Sequence, residues 1–470
     1  MTRAIALLAL IVLLAAAWTR SAEYDEQYTL FLTAGTPRPA WPDTPFPATD
    51  VLAAQRMEGV DPIGIARDLR ATDVHPPLYF WAVALWRTVF GDSLFVARLF
   101  SVACSFAALL LLAGIARRLA IAPALAMAFT VGAYGFVATG IAARGFALAQ
   151  MLLLFGVWRL AAGRRSAILS GLAFGAAILT NYLAAFVAAA ALAWLLAARG
   201  WRAAVTATLG MGLCLPAALW FFLAQRGSRP DQFPPFDLAD ALVRLARAQG
   251  GALFGGLPLY LDGSVRSLLI MGLGALLLIG VGCIVRMRPP LLPTLTALAP
   301  PAGLLLLGLV FNNTPIELRY LCFGLPFLAL LLAAALPRPL AALFLLVQLA
   351  ATIGLLHRPE TMQPARAMAA DLPPDSLVLV PRGNDGVGIV GAFAIEAPAT
   401  TRLLLFDGPN LPPDSDRLIL APIEQDDASR RSVAAIRRTL ADNCWRRVPK
   451  RSNYEVYQRC GGGHDHDGDP

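Results

Sequence analysis

Apolar runs near the length of a bilayer crossing divide the chain up to about residue 356. They lie at about 3–19, 94–116, 121–139, 145–162, 166–181, 183–198, 202–223, 266–285, 290–310, 320–336 and 339–356. A spanning helix needs about 20 predominantly apolar residues, with a range near 17 to 25. The pattern therefore predicts eleven transmembrane helices. The polar positions between the runs are sorted by sign. With Arg3 in the cytoplasm and the sides alternating, the inner turns carry Arg117 and Arg118, Arg159 with Arg164 and Arg165, Arg199 with Arg202, Arg286 with Arg288, and Arg338, and no acid. The outer segments take all 15 acids of residues 1–357. This is the distribution of the positive-inside rule. The run Pro77 to Phe90 is too short to cross, and a crossing there would put the arginine pairs outside. It is expected as an amphipathic helix lying in the interface.

Two outer segments are long, about 20–93 and 224–265, and loops of that length in a compact protein tend to be functional. The first is rich in proline; the second holds Arg226, Arg229, Asp231, Asp237, Asp240 and Asp262. After His357 the pattern changes to that of a soluble domain. Short apolar runs at 376–381, 402–406 and 417–421 predict buried strands, 453–458 an alternating strand and 428–441 a helix. Residues 1–357 thus read as a transmembrane domain, 358–460 as a small α/β domain on the outer face, and 461–470 as a disordered tail.

Composition sharpens this picture. The chain of 470 residues is 57% hydrophobic and 15% charged, with a mean hydropathy of +0.61. An ordinary soluble domain is about a quarter charged, so the composition excludes one. Of 39 basic residues only Lys450 is a lysine, which with abundant Ala, Gly and Pro suggests a GC-rich genome. No acid stands between Asp92 and Asp231. Residues 1–357 carry a net charge of +10 and residues 358–470 a net −2. The basic excess therefore follows topology and lipid contact. No basic stripe with interleaved aromatics appears, and nucleic acid is not an expected partner. The first run also has the composition of a cleaved signal peptide ending near Ala22; retention as the first span is the reading adopted.

The chemistry-bearing residues gather outside. Asp25 and Glu26 follow at once on the first run, where a helix would emerge. A carboxylate pair held at a bilayer surface carries a cost and usually a purpose; the competing reading is a pair of solvated charges closing a hydrophobic segment. Cys104, Cys214, Cys283 and Cys322 lie in predicted spans and read as packing residues. Cys444 and Cys460 lie in the outer domain, where disulfides persist, and bracket segments able to pair, so a bridge between them is expected. His464 and His466 in the tail leave stray metal affinity open.

Several stretches together carry a family likeness: Tyr24-Asp25-Glu26-Gln27-Tyr28, then Asp73-Val74-His75-Pro76-Pro77-Leu78-Tyr79-Phe80-Trp81, then Phe90-Gly91-Asp92-Ser93 and Ala97-Arg98-Leu99. Arg144 with its following Gly-Phe, Thr180-Asn181-Tyr182 and Leu318-Arg319-Tyr320 come next in the same order and on the same side. Over residues 1–356 the chain resembles GT-C glycosyltransferases that use polyprenyl-phosphate sugars. The likeness is to the bacterial family 39 group, with its protein O-mannosyltransferase-like and lipid A aminoarabinose transferase-like members. The resemblance implies a GT-C fold in a multi-pass bacterial inner-membrane protein, N-terminus cytoplasmic and C-terminal domain periplasmic. It implies transfer of a sugar from a polyprenyl-phosphate-linked donor to a glycolipid, polysaccharide or protein acceptor at the periplasmic side.

The same resemblance implies roles. Asp25 takes the place of the general base on the acceptor hydroxyl, and Glu26 orients the acceptor or shares the field. A partly desolvated carboxylate near a second one can have its pKa raised to a useful value. His75 takes the place of the residue at the donor phosphate, where a leaving lipid phosphate needs positive charge or hydrogen-bond donors; a turn histidine capping the interfacial helix is the structural alternative. Arg319 and Arg144 each read as a headgroup anchor or a phosphate ligand. Tyr320 accompanies Arg319, and Tyr182 reads as a substrate contact or a member of the aromatic belt.

The chain also departs from the family pattern. No acid stands between Thr139 and Arg144, Asn181 stands where many relatives have His, and Val74 stands where the aminoarabinose group has Glu. Metal binding is accordingly not expected, and an inactive scaffold remains a competing reading. A transporter or flippase of lipid-linked sugars is the other. Such proteins place ionisable groups near the bilayer midplane, whereas the interior polar residues here are Gln150 and Gln348, which neighbouring helices could satisfy. The stretch Gly383 to Gly388 lacks the Lys-Ser/Thr of a phosphate loop. The basic residues from Arg446 to Arg451 read as a lipid or glycan contact or as a solvated face.

Overall fold

The computed structural model describes residues 1–162, 167–226, 233–255, 263–357, 365–406, 416–424, 426–449 and 452–460. Arg164, Arg165, Arg229, Asp231, Asp262, Lys450, Arg451 and the tail lie outside the described residues. The chain divides into two compact units. One comprises Met1–Thr19, Ala66–Val83 and Phe95–Arg358; the other comprises Arg20–Ile65, Ala84–Leu94 and Pro359–Pro470.

The first unit is helical. Among the described residues six helices are long and apolar enough to cross a membrane: Thr2–Thr19, Leu94–Arg118, Ser264–Met287, Leu291–Phe311, Leu318–Ala335 and Arg338–Leu356. Two bent pairs raise the number to as many as eight. Pro123–Gly132 and Tyr134–Ile141 meet at 73°, and Trp201–Gly212 and Leu215–Gln225 at 60°. The second bend falls where Pro216, placed at the first turn of the following helix, removes a backbone donor. The other three expected spans are the shorter apolar helices Phe146–Ala161, Ala167–Ile178 and Ala184–Arg199. Each expected stretch is therefore helical, and Leu78–Phe90 forms the short helix expected there.

Apolar side chains such as Leu209, Leu213, Leu278 and Val285 point outward from this unit, as lipid-facing positions must when hydrocarbon is the solvent. Helix-to-helix packing there relies on small residues. A Cβ on Gly171 would stand 1.7 Å from the carbonyl oxygen of Ala207, and one on Gly210 2.1 Å from that of Ile168. Helices Ala167–Ile178 and Trp201–Gly212 thus touch backbone to backbone. Both interior glutamines donate to neighbouring helices: Gln150 Nε2 to the carbonyl of Cys322 at 2.6 Å and Gln348 Nε2 to that of Phe129 at 3.3 Å. Buried Arg98 donates to the carbonyl of Ala17 at 3.0 Å, a cation at the C-terminal end of the first helix.

The second unit is α/β. Six strands, β1 (Phe46–Pro47), β2 (Leu377–Pro381), β3 (Arg402–Phe406), β4 (Arg417–Leu420), β5 (Trp445–Val448) and β6 (Glu455–Arg459), form one sheet in the order β1-β3-β2-β4-β6-β5. β2 pairs in parallel with β3 and β4, and the outer pairings are antiparallel. Helix Asp427–Asp442 covers one face through Val433, Ile436 and Leu440 against Leu379, Leu404, Leu418 and Leu420. Helix Gly388–Glu396 packs on β2 and against helices Tyr24–Leu32 and Ala48–Ala53. Coverage of both faces is why β2 and β3 read as continuous apolar runs. Cys444 and Cys460 are joined by a disulfide with Cα atoms 5.4 Å apart.

The sequence places the first long loop with residues 1–357, whereas Arg20–Ile65 and Ala84–Leu94, most of that loop, belong to the α/β unit. β1 comes from that loop and adds an edge, Phe46 opposite Leu403, and Trp41 Nε1 donates to the carbonyl of Gly386 at 2.8 Å. Arg87, wholly buried, donates to the carbonyls of Leu30, Gln55 and Asp92 and to the Thr33 hydroxyl. Buried backbone groups of the loop cannot be left unmet, and the Arg87 guanidinium meets three of its carbonyls.

Candidate active site

In the first unit three stretches singled out by sequence meet at one place. The Asp73-Val-His75-Pro-Pro turn enters helix Leu78–Phe90, and the Leu78 N–H donates to the carbonyl of Leu179 at 3.2 Å. Asp73 is wholly buried. Its Oδ1 accepts from the Val74 N–H at 2.7 Å and lies 3.1 Å from His75 Nδ1. Arg144 sits between helices Tyr134–Ile141 and Phe146–Ala162. Its Nη2 lies 3.0 Å from His75 Nδ1, 3.4 Å from Nε2 and 3.9 Å from Asp73 Oδ2. One ring nitrogen cannot donate to Asp73 and accept from Arg144 at once. The imidazole therefore has two bonding states: Nδ1–H toward the carboxylate, or Nδ1 accepting from the guanidinium. Side-chain exposure is 19% for His75, 4% for Arg144 and 0% for Asp73, so the imidazole is the reachable member.

Tyr182 joins this cluster indirectly. Its hydroxyl donates to Gln225 Oε1 at 2.7 Å, and Gln225 Nε2 donates to the carbonyls of Leu69 at 2.8 Å and His75 at 2.9 Å. Gln225 is buried. Tyr182 thus fixes the backbone that carries His75, a role neither of its sequence readings contained. Arg319 lies in the turn Leu318–Gly324, paired with Glu317 at 2.5 Å, its guanidinium 5.5 Å from the centre of the Tyr320 ring. That turn packs against helices Tyr134–Ile141 and Phe146–Ala162, which flank Arg144.

Asp25 and Glu26 belong to the second unit. They occupy the first turn of helix Tyr24–Leu32, where carboxylates are favoured by the helix dipole. Glu26 is wholly buried and its Oε2 accepts from the Glu23 N–H at 3.2 Å. It serves the start of the helix, as a capping-box residue does. Asp25 is half-buried and keeps exposed surface. Tyr24, next to it, packs on Gly388, where a Cβ would stand 2.5 Å from the ring. Burial first, then the carboxylates of Asp385, Asp426 and Asp25, push the Tyr24 phenol well above its ordinary pKa, so it stays protonated. Among the described residues no group of three or more His, Cys, Asp or Glu could hold a metal ion.

The sequence gives no sign that Asp73 is the partner of His75, although it opens the same Asp73-Val-His75-Pro-Pro stretch, and none that Gln225 takes part. A single polar residue ending an apolar run gives no signal of its own.

Residues 74–223 match the model of the dolichyl-phosphate-mannose-protein mannosyltransferase family, a segment holding His75, Arg144 and Tyr182. No curated protein matches the chain. The fold is similar to that of ArnT from Cupriavidus metallidurans bound to undecaprenyl phosphate, with a TM-score of 0.52 and 14% identity over 97% of this chain and 98% of that one. The apo state of the same ArnT gives a TM-score of 0.52 and 14% identity, covering 96% of each chain. By fold, then, this is a multi-pass membrane protein of GT-C type. In sequence it resembles glycosyltransferase family 39 across the matched stretch.

Proposed function

We propose that the chain is a membrane glycosyltransferase moving a sugar from a polyprenyl-phosphate-linked donor to an acceptor hydroxyl at the periplasmic side. The observation that carries it is the convergence of Arg144 and His75 over buried Asp73, inside the family-matched segment. A guanidinium and a reachable imidazole held by one carboxylate suit a departing lipid phosphate, whose negative charge grows as the glycosidic bond breaks. The likeness to a structure solved with undecaprenyl phosphate supports the class of carrier.

In this reading the acceptor oxygen attacks the anomeric carbon and its proton passes to Asp25. The bond from that carbon to the phosphate oxygen breaks with its electron pair, and the lipid phosphate leaves. Asp25 is favoured over Glu26 as base because it keeps exposed surface, whereas Glu26 is enclosed and engaged at the helix start. The membrane part lies within residues 1–357, apart from the first-loop segments Arg20–Ile65 and Ala84–Leu94, and sits in a bacterial inner membrane, N-terminus cytoplasmic, with the C-terminal α/β domain in the periplasm. There Cys444 and Cys460 stay oxidised.

The test uses the purified chain in detergent with a panel of undecaprenyl-phosphate sugars. Asp25→Asn is expected to abolish transfer while thermal unfolding stays as in wild type. Equal turnover by the two proteins would remove Asp25 from the mechanism.

A further inference from the structure

The α/β unit carries a second arrangement suited to a ligand, independent of the transfer chemistry. The connection after β2 runs through helix Gly388–Glu396 to β3 on one side, while that after β4 runs through helix Asp427–Asp442 toward β5 on the other. The strand order therefore reverses between β2 and β4. In open α/β sheets, ligands bind outside the carboxyl ends of strands at such a reversal. A cavity of about 460 Å³ lies beside the end of β2, one of these two strands, lined by Arg382 and Gly383 and by Ala428, Arg431, Ala434 and Arg438 of helix Asp427–Asp442.

The charges of that helix are divided between two faces. Arg430 pairs with Asp427, and Arg437 pairs with Glu455 at 2.8 Å and Glu424 at 3.2 Å. Arg431 and Arg438 are seven residues apart, two turns and about 10 Å along the axis, and they face the cavity across the small side chains of Ala434 and Ala435. The nearby acid Asp426 is committed to backbone. Its Oδ1 accepts from the Ser429 N–H at 2.6 Å and its Oδ2 from the Asn384 N–H at 3.0 Å. Ser432 fixes the helix by donating to the carbonyl of Phe406, at the end of β3, at 2.9 Å. Three guanidinia thus border an open crevice on a rigid support.

The geometry points to a binding site for a phosphate ester in this crevice, held by Arg382, Arg431 and Arg438. Planar guanidinium forks match phosphate oxygens two at a time, and a phosphate monoester offers three strong acceptor oxygens with nearly two negative charges. A lone carboxylate would use the arginines less fully. The phosphate can come from a lipid headgroup or from a soluble or glycan phosphate ester, since both present the same oxygens.

The experiment titrates the full-length chain in detergent with inorganic pyrophosphate by calorimetry. One saturable site is expected. Losing the guanidinia in the Arg431→Gln/Arg438→Gln double variant should weaken binding by about tenfold or more, and Arg382→Gln should weaken it too. Arg430→Gln, altered on the paired face, is the control and should bind as wild type. These positions on the helix are exposed, and unchanged thermal unfolding checks that the fold survives. Short-chain phosphatidic acid and glucose 1-phosphate are then used to displace the probe. Stronger displacement by the first identifies a lipid headgroup as the source, and by the second a soluble ester; either keeps the site. Absence of saturable binding up to roughly millimolar concentration, or equal binding by the double variant and wild type, overturns it. Because Asp25→Asn leaves these arginines untouched, failure of the transferase reading and failure of this one are separable.

Discussion

His75, Asp73 and Arg144 differ in charge and access. Asp73 is enclosed, Arg144 nearly so, and the imidazole keeps a reachable edge. An Arg–carboxylate pair in a closed pocket is an electrostatic fixture whose members cannot be removed singly without leaving a buried charge. His75, at the rim, can be changed at less structural cost. His75→Gln keeps a hydrogen-bond donor without a titrating ring. It is expected to raise KM for the lipid-linked donor about tenfold or more, equivalent to one charge-assisted hydrogen bond, while thermal unfolding changes little. Steady-state kinetics with varied donor check this; an unchanged KM would place the phosphate elsewhere. Asp25 and Glu26, adjacent in sequence and alike in type, are separated by the helix they begin: one turns inward to the Glu23 backbone and the other keeps a solvent face.

At the scale of elements, position comes from backbone held at several points. The turn bearing His75 is tied by Gln225, which bonds the carbonyls of Leu69 and His75 and takes the Tyr182 hydroxyl. Tyr182→Phe deletes one neutral hydrogen bond, worth about 1 kcal/mol, and leaves the Gln225 acceptor unmet. Gln225→Leu removes the tie to both carbonyls. Positioning through the turn predicts that Tyr182→Phe lowers transfer several-fold and Gln225→Leu lowers it further. With His75 as the proposed phosphate ligand, donor KM should rise more than kcat falls. A merely structural role would lower thermal stability without changing the ratio of the two constants. The helix pair Ala167–Ile178 and Trp201–Gly212 shows the same economy in lipid, where close packing of backbones through Gly171 and Gly210 replaces the hydrophobic drive.

For the whole molecule, the proposed topology is open to a direct check. The chain has exposed positions at Gly200, between two apolar helices, and at Thr400, before β3. In intact cells, a membrane-impermeant thiol reagent is expected to label a cysteine placed at position 400 and not one at position 200, with labelling at 200 appearing only after the membrane is opened. Labelling in the reverse order would invert the orientation and take the acceptor to the cytoplasmic face.

The chain's own order determined a good deal. Each apolar stretch singled out as a span is helical, because an unbroken run of that length has no other way to satisfy its backbone in hydrocarbon. The strands at 377–381, 402–406 and 417–420 fall where alternation and short apolar runs put them. Cys444 and Cys460 are legible for a similar reason, since they end two adjacent antiparallel strands close in sequence. His75, Arg144 and Tyr182 could be named one by one because they stand in the stretches that carry the family resemblance. Their meeting could not, because it depends on how helices far apart in sequence pack. Nor could the sequence show that a loop beginning at Arg20 and a domain beginning after Arg358 form one unit, or that β1 completes a sheet whose other strands lie more than three hundred residues later. Such pairings are long-range hydrogen bonds and buried contacts, and local propensity carries no record of them. The same holds for the arginines of helix Asp427–Asp442: spacing puts two on each face, and only the folded neighbours decide which face is neutralised and which is left bordering a crevice.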